Sequence, residues 1–121
     1  MHVCKRNAIK RGAEREKAMQ VRKLERGSDT PWGRAQDVRE VADGITLVTT
    51  AGHGGLYVTR PMPADARAYA AAWSHGWGAR WYEEDCAVGF VIAEYPHAFA
   101  ALGWTIDAAA FAAWREKAVL S

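Results

Sequence analysis

Cys86 stands directly behind three carboxylates and two aromatic rings in "ARWYEEDCAVGFVIAEYP", residues 79–96. With His53 from "GHGG" (52–55) as base and Asp85 as orienter, Cys86 would supply the thiolate of a small cysteine hydrolase. The electrostatics oppose that chemistry. A helix N-terminus lowers a thiol's pKa through about half a unit of positive charge, whereas Glu83, Glu84 and Asp85 set up to three negative charges beside it and disfavour the thiolate. A metal enzyme using His53, Asp85 or Cys86, and His97 is the second catalytic reading. Metal-binding helices offer two ligands at i and i+3 or i+4, yet the positions three and four beyond Glu84, Asp85 and Cys86 hold only Ala87, Val88, Gly89 and Phe90. The expectation is no catalytic set, no metal and no cofactor.

The same residues also read as local structure. Acids in a first helical turn complement the helix dipole and accept its unpaired amide hydrogens. On a helix from about Tyr82 to Glu94, Tyr82, Cys86, Phe90 and Ala93 share one face, which makes Cys86 a small buried apolar residue. His53, flanked by glycines, would bond Asp85 and pin hairpin to helix. His53, Tyr82, Asp85 and Cys86 then form a structural junction, while Glu83 and Glu84 are left to face a partner.

Elements must position this junction. "AQDVREVA", "ITLVTT" and "LYVTR" are β-branched runs bounded by turn residues, with Asp43-Gly44 as a two-residue hairpin and "GHGG" as the next connection. They predict a three-stranded antiparallel meander with Ile45, Leu47 and Thr49 on the core face and Thr46, Val48 and Thr50 on the other. Helices come next. Pro63 opens "ADARAYAAAW", "SHGWGA" breaks it, Pro96 ends the apolar helix, "HAFAALG" adds a turn, and Asp107 caps "AAAFAAWREKAVL". The fold class is α+β, a small meander packed by three to four helices and preceded by a basic helical arm.

Charge divides the chain. Residues 1–27 hold nine Lys or Arg and three Glu, a net +6, whereas the remainder has seven basic and eleven acidic residues, a net −4. The division predicts an arm over 1–29, partly helical on propensity, and a single α+β domain over 30–121. Arg6, Arg11, Arg15, Arg22 and Arg26 of the arm, with Trp77 and Trp81 of the body, are candidate binding residues beside Glu83 and Glu84. Only Cys4 and Cys86 are present, no apolar run approaches a membrane span, and no apolar stretch follows the basic N-terminus, so a soluble cytoplasmic protein with reduced thiols is expected.

The stretch "TPWGRAQDVREVADGITLVTTAGHGG" followed by "WYEEDC" resembles an uncharacterised bacterial, phage and plasmid domain family. That family carries a Pro-Trp-Gly opening, a Ser-His-Gly-Gly hairpin and a Tyr-Glu-Glu-Asp-Cys helix start in the same order. The resemblance spans about residues 30–96, with Gly52 in place of the serine and "AVGF" after Cys86 in place of an acidic residue and an aromatic. It implies a mobile-element setting and no defined chemistry. The expected function is therefore a non-enzymatic binding or inhibitor protein of a phage or plasmid, acting on a host protein or nucleoprotein complex of a defence system such as CRISPR or restriction. The alternatives are the Cys/His or metal-dependent enzyme, and nucleic-acid binding through the basic arm.

Overall fold

A computed structural model of the protein describes residues 21–120. Arg6, Arg11 and Arg15, and the helix expected for most of the arm, lie outside the described residues.

Strands β1 (Asp29–Thr30) and β2 (Gly33–Arg34) form a short antiparallel ribbon closed by Pro31 and Trp32. Strands β3 (Asp37–Ala42), β4 (Ile45–Thr49) and β5 (Gly54–Val58) then build the expected meander, turning at Asp43-Gly44 and at residues 50–53. Gly44 takes a φ of 80°, the left-handed conformation that a two-residue hairpin of this type demands. The sheet is completed by β6 (Trp81–Glu83), antiparallel to β5, in the order β3-β4-β5-β6.

This fourth strand corrects the sequence reading. The helix expected from Tyr82 begins only at Val88, because Trp81-Tyr82-Glu83 pairs with Tyr57, Leu56 and Gly55 instead. Two adjacent aromatics, one for each covered face, suit a pleated strand, and pairing satisfies an edge of β5 that would otherwise stay open. Trp81 thereby enters one face of the sheet and Tyr82 the other.

On the first face, Ile45, Leu56, Val58 and Tyr82 pack beneath helices α1 (Ala64–Trp73), α2 (Val88–Glu94), α3 (Pro96–Ala100) and α4 (Ala108–Leu120). Phe90 is the hub, in ring contact with Tyr69, Phe111 and Trp114. Full burial of such a side chain stabilises the fold by about 2–3 kcal/mol. A Cβ at Gly89 would lie 2.9 Å from Phe111 Cδ1, so glycine is what lets α4 approach α2. Asp107 caps α4 as the sequence predicts, accepting the Ala110 N–H at 3.0 Å. Arg115 grips Asp65 through two hydrogen bonds of 2.6 and 2.8 Å, tying α4 to α1.

The second face is covered as well. Val48, Tyr57, Trp81 and Ala35 are buried there, with Leu24, Trp32, Val38 and Trp77 packed against them. The Ile45 side is core as expected, but the Val48 side is core too: Ile45 and Val48 are both fully buried. The cover comes from residues 22–36, a strap that ends in the β1-β2 ribbon and takes no helical form where the arm was expected to be helical. Arg22 fastens the strap by donating its backbone N–H to Tyr57 Oη at 2.9 Å and laying its guanidinium over Trp77 and Trp81.

Candidate functional site

Three short motifs meet at one end of β4, β5 and β6. The "TPWG" turn is set by Thr30, whose hydroxyl donates to Gly33 O at 2.6 Å and accepts the Trp32 N–H at 3.1 Å. Trp32 is thereby delivered onto Gly55, where a Cβ would come within 2.6 Å of its ring and 2.9 Å of Glu83 Cα. Its ring also meets Trp81 edge-on at 5.6 Å. The hairpin tip is closed by Thr50, whose backbone N–H and hydroxyl lie 2.8 and 2.7 Å from His53 O, while the hydroxyl also lies 3.3 Å from Trp32 O. From the third motif, Glu84 donates its backbone N–H to Gly54 O at 2.9 Å.

Glu83 organises the turn that leads into α2. Its carboxylate accepts the backbone N–H groups of Asp85, Cys86 and Ala87 at 2.7, 2.9 and 3.1 Å. One acid thus satisfies three amides, so Glu83 is a structural cap and not an acid turned toward a partner. Glu84 and Asp85 differ. Both are exposed, and neither side chain forms a hydrogen bond or ion pair among the described residues.

The expected junction is present in another form. Tyr82 is fully buried, but Cys86 and Ala93 are exposed: the strand at Trp81–Glu83 removes the helical register that would set Cys86 beneath Tyr82, and α2 buries Gly89, Phe90, Val91 and Ile92 instead. His53 is exposed and bonds through its backbone to Thr50; no His53–Asp85 side-chain bond forms among the described residues. The hairpin is held to the turn by main chain, Gly54 to Glu84, where a side-chain clamp was expected. Trp81 is 3% exposed and Trp77 half-buried, so the sheet and strap engage the two tryptophans expected to face a partner. Arg26 bonds Gln36 O at 3.0 Å. His97 lies exposed on α3.

Cys86 has a neighbour that sequence spacing did not indicate. The Tyr69 phenol of α1 lies close to it, and the Tyr69 pKa is pushed up to about 12, chiefly by burial and then by the nearby Cys86 and Glu83. Burial likewise pushes the Tyr82 phenol above its ordinary value, against the opposing charge of Arg67. A phenol held neutral is no base for a nucleophile. Among the described residues no three His, Cys, Asp or Glu side chains gather closely enough to share a metal ion.

The fold and this corner define a small α+β domain whose motif residues hold three turns together while setting two unpaired acids at the surface. The chain belongs to the family of a domain of unknown function, DUF7007, whose model matches residues 25–119. No curated protein and no solved structure matches it. Among the described residues no helix is long and apolar enough to cross a membrane.

Proposed function

We propose that this protein is a non-enzymatic binding protein of a phage, plasmid or other mobile element, working in the cytoplasm by docking on a host protein. The observation that carries the reading is the division of labour within "EEDC". Glu83 is engaged by three backbone amides, whereas Glu84 and Asp85, beside the exposed tip Ala51-Gly52-His53, have no partner among the described residues. Two unpaired carboxylates on a rigid corner suit a basic patch, and proteins that act on nucleic acids carry such patches. Inhibition of a restriction or CRISPR nuclease through its nucleic-acid-binding surface is the concrete form.

The test is plating of a restricted phage, or transformation by a targeted plasmid, in cells expressing the chain. Protection should persist in Cys86→Ser and His53→Ala and fall at least tenfold in the Glu84→Lys/Asp85→Lys double variant. Loss in Cys86→Ser with retention in the charge reversal would instead favour the hydrolase reading and sink this one.

A further inference from the structure

At the opposite end of β5 from the motif corner, a cleft of about 630 Å³ opens between the segment leaving β5, the start of α1 and the turn before β6. That size lies within the range of small-molecule sites, roughly 300–1,000 Å³. Arg60, Arg67 and Arg80 line it, and none of its lining residues is acidic.

Two of these arginines are held in the same way. Arg60 donates its Nε–H to Asp43 O, and its guanidinium lies 4.9 Å from the centre of the Tyr95 ring. Arg67 donates its Nε–H to Met62 O at 3.1 Å. A guanidinium tethered through Nε to a neutral carbonyl has a fixed plane and keeps its full charge and both terminal nitrogens. The backbone carrying Arg60 is stiff, since Pro61 and Pro63 flank Met62 and the Tyr95 hydroxyl donates to Pro61 O. The acid nearest in sequence to Arg67, Asp65, does not neutralise it by pairing: its two carboxylate oxygens are engaged by Arg115 at 2.6 and 2.8 Å. Pro61, which is exposed, and half-buried Ala79 give the cleft an apolar wall, backed by buried Val58 and Met62.

The Arg60 and Arg67 charges at this open cleft repel one another, and an anion placed between them removes that penalty. Planar forks match the oxygens of a phosphate, and an apolar wall favours a ligand with an organic body over a bare ion. We infer that this cleft binds a phosphate ester of nucleotide size through the Arg60 and Arg67 guanidinium groups. The site stands apart from the acidic corner and holds whether or not that corner docks a partner.

Calorimetric titration of the full chain at low salt with ADP, inorganic phosphate and a ten-nucleotide oligothymidylate tests this. ADP or the oligonucleotide should bind at least tenfold more tightly than inorganic phosphate; the tighter of the two tells free nucleotide from nucleic-acid phosphate. Arg60→Gln/Arg67→Gln should weaken binding tenfold or more, and Arg67→Lys should weaken it several-fold because charge remains while the fork is lost. Saturation at about 100 times Kd should raise the melting temperature by several degrees. Arg67 is exposed, so the single variants Arg67→Gln and Arg67→Lys keep the test interpretable if the double variant misfolds. No binding of any of the three probes, binding unchanged in the arginine variants, or inorganic phosphate matching ADP and the oligonucleotide would overturn the inference.

Discussion

The two ends of β5 carry opposite charge and handle it differently. At the Gly54 end an acid is absorbed into the backbone, with Glu83 closing three amides and Gly55 admitting the Trp32 ring. At the Val58 end Arg60 and Arg67 are only aimed, each tethered through Nε to a carbonyl. The first arrangement is needed for the fold, and the second leaves charge available. Residues at the Gly54 end that touch backbone should therefore be costly to change, while the arginines of the cleft and the outer acids of the corner should not.

The largest effect is expected at Gly55. An alanine there would press on the Trp32 ring and on the β6 backbone, so Gly55→Ala should lower stability by about 3 kcal/mol in urea unfolding, at the upper end of overpacking costs. A loss under about 0.5 kcal/mol would mean that the Trp32 contact is loose and the corner less fixed than described. Next comes Glu83→Ala, which leaves three amides without their acceptor and should cost about 2 kcal/mol, as for a lost cap. Glu84→Ala, one residue on, should change stability by less than about 0.5 kcal/mol.

A smaller effect separates α1 from the cleft beside it. Arg115 holds the Asp65 carboxyl below the usual carboxylate range, chiefly through their hydrogen bond. A depressed folded pKa contributes stability that is present above the unfolded value near 3.8 and lost as pH falls through the folded value. Asp65→Asn should thus be less stable than the parent at pH 7, and the gap should close as the pH falls below 3.8 and through the lowered folded pKa. Persistence of the gap in acid would show that the pair acts through packing and not charge.

Tyr69 gives the alkaline counterpart. Its raised pKa favours the neutral phenol in the folded state, so that stability is intact below pH 10 and declines from pH 10 toward 12. Absorbance at 295 nm should show Tyr69 ionising late, and Glu83→Gln should leave it still above 10 because burial is the leading cause. The smallest effect is expected for Arg60→Gln/Arg67→Gln without ligand, within about 0.5 kcal/mol of the parent, since relief of repulsion offsets the lost tethers.

These contrasts also show how far the sequence could be read. The meander, the Asp43-Gly44 turn, the Pro63 helix and the Asp107 cap are dictated by local rules of turn chemistry and capping, and all four appear. Trp81-Tyr82-Glu83 is not dictated by them. Its strand state is decided by the open edge of β5, a partner more than twenty residues away, which overrides the helical reading of the acids beside it. That single shift explains why Cys86 is exposed and why Glu83, and not Asp85, is the residue that holds the turn. The covered second face is hidden from the sequence for a similar reason, since nothing local in residues 22–36 says that they cover a sheet. The arginine cleft was beyond reach, because Arg60, Arg67 and Arg80 lie on three separate segments and only the fold brings them together.

The central claim is that an acidic docking corner and a basic ligand cleft occupy opposite ends of one strand. Amide chemical-shift mapping by two-dimensional NMR tests both ends in one experiment, with a lysine-rich peptide and with ADP as separate titrants. The peptide should move the amides of residues 51–54 and 84–87, and ADP those of residues 59–62 and 78–80. Overlapping sets of shifted amides, or no shift at either end at low salt, would contradict it.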